Sequence, residues 1–181
     1  RQSYEDGNKV NLLLRVGPDR PGAGLLLCGH LDVVPANEPE WQTDPFTLTT
    51  RANSPFGDDS GPGWCGRGVT DMKGFVDLAI SALISNARRP LRNPLALLLT
   101  SDEEVGALGT QHFLRTAAAE LGLPRQVLIG EPTALKLVRM HKGHLKLRLS
   151  IRGEPAHSGL PQHGVNAIEL AGAVIRRLAS L

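Results

Sequence analysis

His30 and Asp32 stand two residues apart in LLLCGHLDVVP, just past a short apolar run, and so lie on the same side of an extended chain. An imidazole that gives one nitrogen to a cation usually offers the N–H of the other to a carboxylate, and Asp32 is placed to accept it. The plainer alternative is that His30 ends a strand and Asp32 opens a turn. A second acid, Asp71, follows the glycine-rich GRGVT and precedes a helical pattern, where a carboxylate could cap the helix or bridge two cations. A third element, LLLTSDEEVG, runs an apolar strand directly into Asp102, Glu103 and Glu104. Adjacent acids repel one another, so all three either point into water or are neutralised by cations. Glu103 and Glu104 are neighbours and point in different directions, which lets one hold a metal while the other faces a substrate. QVLIGEPT brings Glu131 to the end of one more apolar run. Surface polarity is a poor explanation for four such ends in succession. The set suits zinc, cobalt or manganese, with two cations roughly 3.5–4 Å apart across a bridging carboxylate.

Residues so spaced need a scaffold that gathers strand ends. Short apolar runs alternating with helical patterns predict an α/β domain, a mostly parallel sheet flanked by helices, and ligands collect at the carboxyl ends of such strands. Strands are expected over 10–16, 24–29, 46–51, 95–100 and 127–129, all short and apolar as buried strands are. Phe75, Leu78, Ala79, Ala82 and Leu83 recur at helical spacing, as do Phe113, Leu114, Ala117, Ala118 and Leu121, and both sets read as core faces. Residues 53–68, rich in Gly, Pro, Asp and Ser, read as a long surface loop.

From Lys136 the pattern changes. LKLVRM and HLKLRLSIRG alternate apolar with basic residues, as a half-solvated antiparallel pair would. The expectation is a catalytic domain over 1–135 and the start of a smaller α+β lid or dimerisation domain over 136–181. Its first helix would cover 165–181, with Ile168, Ala171, Val174 and Ile175 facing inward.

Composition narrows the function classes. Twenty Lys and Arg against 18 Asp and Glu leave a net charge of only +2, which argues against nucleic acid or an anionic membrane as partner. Cys28 and Cys65 form neither a metal-type pair nor a disulfide framework, and no apolar run is long enough for a signal peptide or a membrane span. A cytoplasmic setting is expected. The chain opens on Arg1 and closes inside a helical run at Leu181, so both ends are expected to lie within a longer protein.

GHLDVVP, the W-x-x-DPF segment at Trp41 to Phe46, GRGVTDMKGF, SDEEVG, GEPT, HKG and AHSGLPQHGVNAIE occur here in the order of the motifs of a known family. The chain resembles, from about Leu25 onward, the acetylornithine deacetylase and succinyl-diaminopimelate desuccinylase family of two-zinc metallohydrolases, which also includes aminoacylases. The wording of the HKG and AHS segments is nearest the acetylornithine deacetylase branch. The resemblance implies that His30 and Glu131 bind one zinc, that Asp71 bridges both and that Glu104 binds the other. It implies that Asp32 orients His30 and that Glu103 is the general base, taking a proton from the attacking water and giving it to the leaving amine. His157, in GEPAHSG, would cross a dimer interface to stabilise the oxyanion of the tetrahedral intermediate. The implied substrate is a small N-acyl amino acid, N-acetylornithine first, and the implied assembly a homodimer.

Two features depart from the family pattern. The loop before GRG is longer than usual, and the family's fifth ligand, a histidine from a returning C-terminal segment, lies beyond Leu181. The covered residues are therefore expected to hold one metal better than the other, with little activity on their own. Sibling activities (desuccinylase, carboxypeptidase or aminoacylase) stay open, as do a non-catalytic dimerising product and a purely structural metal site. Structural zinc sites are usually closed and cysteine-rich, which this set is not. His112, His141, His144 and His163 receive no role; His112 falls among core residues and reads as surface or packing.

Overall fold

The computed structural model describes residues 2–5, 7–37, 39, 41–51, 62–143 and 145–180. His144 and most of the expected loop 53–68 lie outside the described residues. Two compact units are present, Arg1–Leu137 and Val138–Leu181.

In the first unit, five strands form one sheet in the order β1-β2-β6-β3-β7: β1 (Gln2–Tyr4), β2 (Lys9–Val16), β6 (Leu95–Thr100), β3 (Leu25–His30) and β7 (Gln126–Ile129). β3, β6 and β7 run parallel, whereas β1 and β2 are antiparallel additions at one side, so the sheet is mixed. β1 was not expected from the sequence. The apolar runs LLLCGH and LALLLT occupy the middle because a parallel strand is covered on both faces. Their side chains alternate. Leu27, Leu97 and Leu99 pack on Val76, Ala79 and Leu83 of α1 (Gly74–Asn86), while Leu26, Ala96 and Leu98 pack on Phe113 of α2 (Leu108–Thr116). One sheet with a helix on each face is the α/β architecture expected.

Several local expectations need correction. On α1 the buried face is Val76, Ala79 and Leu83, and Leu78 is 68% exposed, one helical position out of phase with that stripe. α2 stops at Thr116, so Leu114 faces solvent and Leu121 falls beyond the helix. β7 pairs with β3 alone, and Val127, Leu128 and Ile129 are exposed rather than buried. The strand expected over 46–51 shrinks to β4 (Thr49–Arg51), which pairs with β5 (Gly63–Cys65). Asp44 is the cause: its carboxylate accepts the Phe46 N–H and the Thr47 hydroxyl and so holds the preceding residues in a turn.

In the second unit the expected antiparallel pair over 136–151 does not form among the described residues. A strand needs a neighbour for its N–H and C=O groups, and Leu145, Leu147 and Leu149 remain exposed without one. The single bridge joins Glu154 to Val165 through two 2.9 Å main-chain bonds. α3 (Ala167–Leu178) begins where the Asn166 side chain accepts the Ile168 N–H at 2.9 Å. Ala171 and Val174 are half-buried, but Ile168 and Ile175 are exposed, contrary to the inward face expected of them.

Candidate metal centre

Strand register gathers the site. β3 and β6 are parallel with His30 opposite Thr100, so the chain after His30 runs beside Ser101 to Glu104, and the Leu31 N–H bonds Thr100 O at 2.9 Å. β7 ends with Ile129 opposite Cys28, which carries Glu131, two residues on, level with His30. Asp71 arrives from the other direction, on an irregular helical turn over Val69–Lys73 that leads into α1. The result is a single cluster at the carboxyl end of the sheet.

His30 is 2% exposed and sits at its centre. Its Nε2 lies 3.0 Å from Asp71 Oδ1 and 3.9 Å from Glu131 Oε1. Ligand atoms of His30, Asp71 and Glu131 all fall within 4.8 Å of one another, and those of His30, Glu103 and Glu104 do likewise. Of the six expected residues of the first unit, four carboxylates thus gather around the imidazole of the fifth, His30. The sixth, Asp32, acts from behind. Its main-chain carbonyl accepts from His30 Nδ1 at 2.9 Å, while its carboxylate, 3.6 Å from that nitrogen, accepts the N–H groups of Glu103 and Glu104 at 3.1 and 3.0 Å. Asp32 therefore holds the histidine with its backbone and the acidic turn with its side chain.

Sequence reasoning missed Met72. It is fully buried beneath β3, its sulfur 3.3 Å from the His30 N–H, and it ties Asp71 to the histidine's own strand. The signal was present in Gly29, where a Cβ would stand 3.0 Å from the Met72 methyl. Gly68 has the same logic: it adopts φ 83°, and a Cβ there would come within 2.5 Å of Val33.

The electrostatics suit a cation. Burial and the charge of Asp71 push the Glu104 and Glu131 carboxyls above the usual carboxylate range. Burial alone would pull His30 down, but the bonds to Asp71 and to the Asp32 carbonyl, with the charges of Asp32 and Glu103, leave it raised. The cluster therefore carries more negative charge than its own groups neutralise. With Nδ1–H given to the Asp32 carbonyl, the neutral ring keeps its Nε2 lone pair on the side of Asp71 and Glu131, where a cation could take it up. One imidazole and four carboxylates are the donor set that zinc, cobalt or manganese accepts, so the residues fit a divalent metal.

His157 belongs to the second unit, where it is exposed and lines a cavity of about 150 Å³ with Glu154, Ser158 and Asn166. Its Nδ1 accepts the Gly159 N–H at 3.1 Å, so the neutral ring carries its proton on Nε2 and presents a donor. His112 stacks on Tyr4 with ring centroids 5.0 Å apart, a packing role.

Comparison with known proteins follows the same lines. Residues 26–177 match the model of peptidase family M20/M25/M40. The chain is 41% identical over 177 residues to an acetylornithine deacetylase of Proteus mirabilis (strain HI4320), covering 98% of this chain and 42% of that protein. It is 40% identical over 174 residues to an acetylornithine deacetylase of Erwinia tasmaniensis, again covering 42% of the relative. Among solved structures, human carnosine dipeptidase 1 aligns with TM-score 0.52 and 26% identity, over 66% of this chain and 24% of that one. The chain thus spans less than half the length of these relatives. A match over most of its length, with the metal-type cluster at the carboxyl end of the sheet, places the chain in peptidase family M20/M25/M40.

Proposed function

We propose that the full-length protein is a metal-dependent amide hydrolase that removes the acyl group of an N-acyl amino acid, with N-acetylornithine as substrate and ornithine and acetate as products. The observation that carries this reading is the convergence of His30, Asp71, Glu103, Glu104 and Glu131 at one sheet end. Relatives about 40% identical and named for the acetylornithine reaction choose the substrate.

In this reading His30 and Glu131 would hold one cation and Glu104 another, with Asp71 available to both. Bound there, divalent cations, zinc first, supply a Lewis acid that polarises the acyl carbonyl and makes water acidic enough to attack at neutral pH. Glu103 accepts the water's proton and returns it to the leaving amine. It suits this task because its main-chain N–H is tied to Asp32 while its carboxylate stands within 4.8 Å of the His30 and Glu104 ligand atoms. Asp32 keeps His30 in the tautomer whose Nε2 faces the cation. His157 donates Nε2–H to the developing oxyanion, the second unit serving as a lid or dimerisation module in a homodimer.

The test is turnover by the full-length protein of N-acetylornithine against N-succinyl-diaminopimelate, other N-acyl amino acids and a dipeptide. Preference for N-acetylornithine by about tenfold or more in kcat/KM supports the reading. Preference for a dipeptide, the substrate class named for the human structural relative, would move the protein to a peptidase role. No hydrolysis with metals bound would leave a binding function.

A further inference from the structure

The turn that carries Glu103 and Glu104 is gripped from two sides. On one side the Asp32 carboxylate takes both of their N–H groups. On the other stand β1 and β2, outside the residues 26–177 that match the family. There Lys9 Nζ donates to Asp102 Oδ1 at 2.7 Å and Tyr4 Oη donates to Oδ2 at 2.8 Å. Tyr4 Oη also meets Ser101 Oγ at 3.0 Å, and that hydroxyl donates to the Val10 carbonyl at 3.2 Å. Asp102 is only 7% exposed and adopts φ 59°, a left-handed conformation that aspartate enters more readily than most residues and that the Lys9 and Tyr4 bonds fix here. Because Asp102 immediately precedes Glu103, its backbone conformation sets the direction in which the next two carboxylates leave β6.

We propose that Lys9 and Asp102 form a positioning pair for the metal centre, with Lys9 holding Asp102 in its left-handed conformation so that Glu103 and Glu104 face His30. This rests on the roles given above to Glu103 and Glu104. Of the three adjacent acids, the first is withdrawn toward β2 and neutralised by Lys9, which leaves two for the site. A buried aspartate with no cationic partner would repel both and seek water.

The test uses the full-length protein with Lys9→Met, Asp102→Asn and Lys9→Arg. In metal-free protein, amide hydrogen exchange at Glu103 and Glu104 is compared with that at Leu97 and Leu99 in the centre of β6. Lys9→Met is expected to speed exchange at the two glutamates about tenfold while leaving the β6 amides unchanged, because the opening is local. In the metal-loaded protein it is expected to weaken zinc binding, read by chelator competition, and to lower kcat for N-acetylornithine, each by roughly tenfold, with KM nearly constant. Lys9→Arg restores all three, since a guanidinium can still pair with the carboxylate. Asp102→Asn, which loses the charge paired with Lys9 but still suits the left-handed conformation, is expected to speed exchange at the two glutamates less than Lys9→Met, and if Lys9→Met does not fold, Lys9→Gln gives its readouts instead. Unchanged exchange at Glu103 and Glu104, or equal acceleration at Leu97 and Leu99, overturns the positioning pair. A wild-type protein that neither binds zinc nor hydrolyses an amide overturns the proposed function instead, and the exchange experiment still decides the role of Lys9.

Discussion

Asp32 shows how one residue can serve two ligands with different atoms. Its main-chain carbonyl fixes His30 and its carboxylate closes on two successive amides, so the histidine and the acidic turn are set relative to each other by a single residue. Replacing it with Ala keeps the carbonyl behind His30 but releases the amides of Glu103 and Glu104, and is expected to weaken zinc binding about 10–100-fold in the full-length protein. Asp32→Asn, which keeps one acceptor oxygen, should lose less. Zinc affinity by chelator competition checks both variants, and an Ala variant that binds like wild type would remove Asp32 from the design. His30, Asp71 and Glu131 were legible in the sequence because each follows a short run or loop that must deliver it to a sheet end. The true partners of Asp32 were not, since the two amides lie some seventy residues away on a turn whose direction depends on Asp102. Lys9 was invisible for the same reason: its partner is brought beside it only by the pairing of β2 with β6.

At the scale of elements, the close approach of α1 to the sheet decides where Asp71 can stand. Gly130 marks that approach, because a Cβ added there would overlap the Phe75 ring at 1.9 Å. Gly130→Ala must push α1 or the end of β7 aside, which overpacks the core beneath the site. A loss of about 1–3 kcal/mol is expected, measured as a fall in the urea midpoint of the full-length protein. Zinc binding should weaken as well, since Phe75 and Glu131 flank the displaced segment. The central strands and both helices were readable from apolar runs and helical spacing, for these elements bury enough surface to dictate their own conformation. The ends were not. Leu78 and Leu114 fit a helical count but fall on the solvent side, and the strand expected over 46–51 gave way to the turn that Asp44 holds. The run over 145–151 has the alternation of a strand yet no strand neighbour among the described residues of its unit, and alternation alone cannot supply one.

At the scale of the whole molecule, the cluster as it stands already has the donors for one cation, His30, Asp71 and Glu131, while in the proposed reading a second would rest on Glu104. The isolated 181-residue chain is accordingly expected to carry closer to one zinc than two, and Asp71→Ala, which removes a carboxylate from that cluster, to carry almost none. Elemental analysis of both purified chains under zinc-replete conditions checks this. Two tightly held zincs with full turnover in the isolated chain would refute the partial site. The same cluster sets the pH dependence. His30, Glu104 and Glu131 all have raised pKa values, so each takes up a proton at a higher pH than the free side chain would. A cation must displace those protons, and its affinity therefore falls as pH falls. The decline begins with His30, at a higher pH than a free imidazole would give, and steepens as the two carboxyls follow above the usual carboxylate range. Zinc competition followed from about pH 8 to about pH 5 reads this directly. A decline confined to the ordinary carboxylate range would mean that His30 is not a ligand of the bound metal.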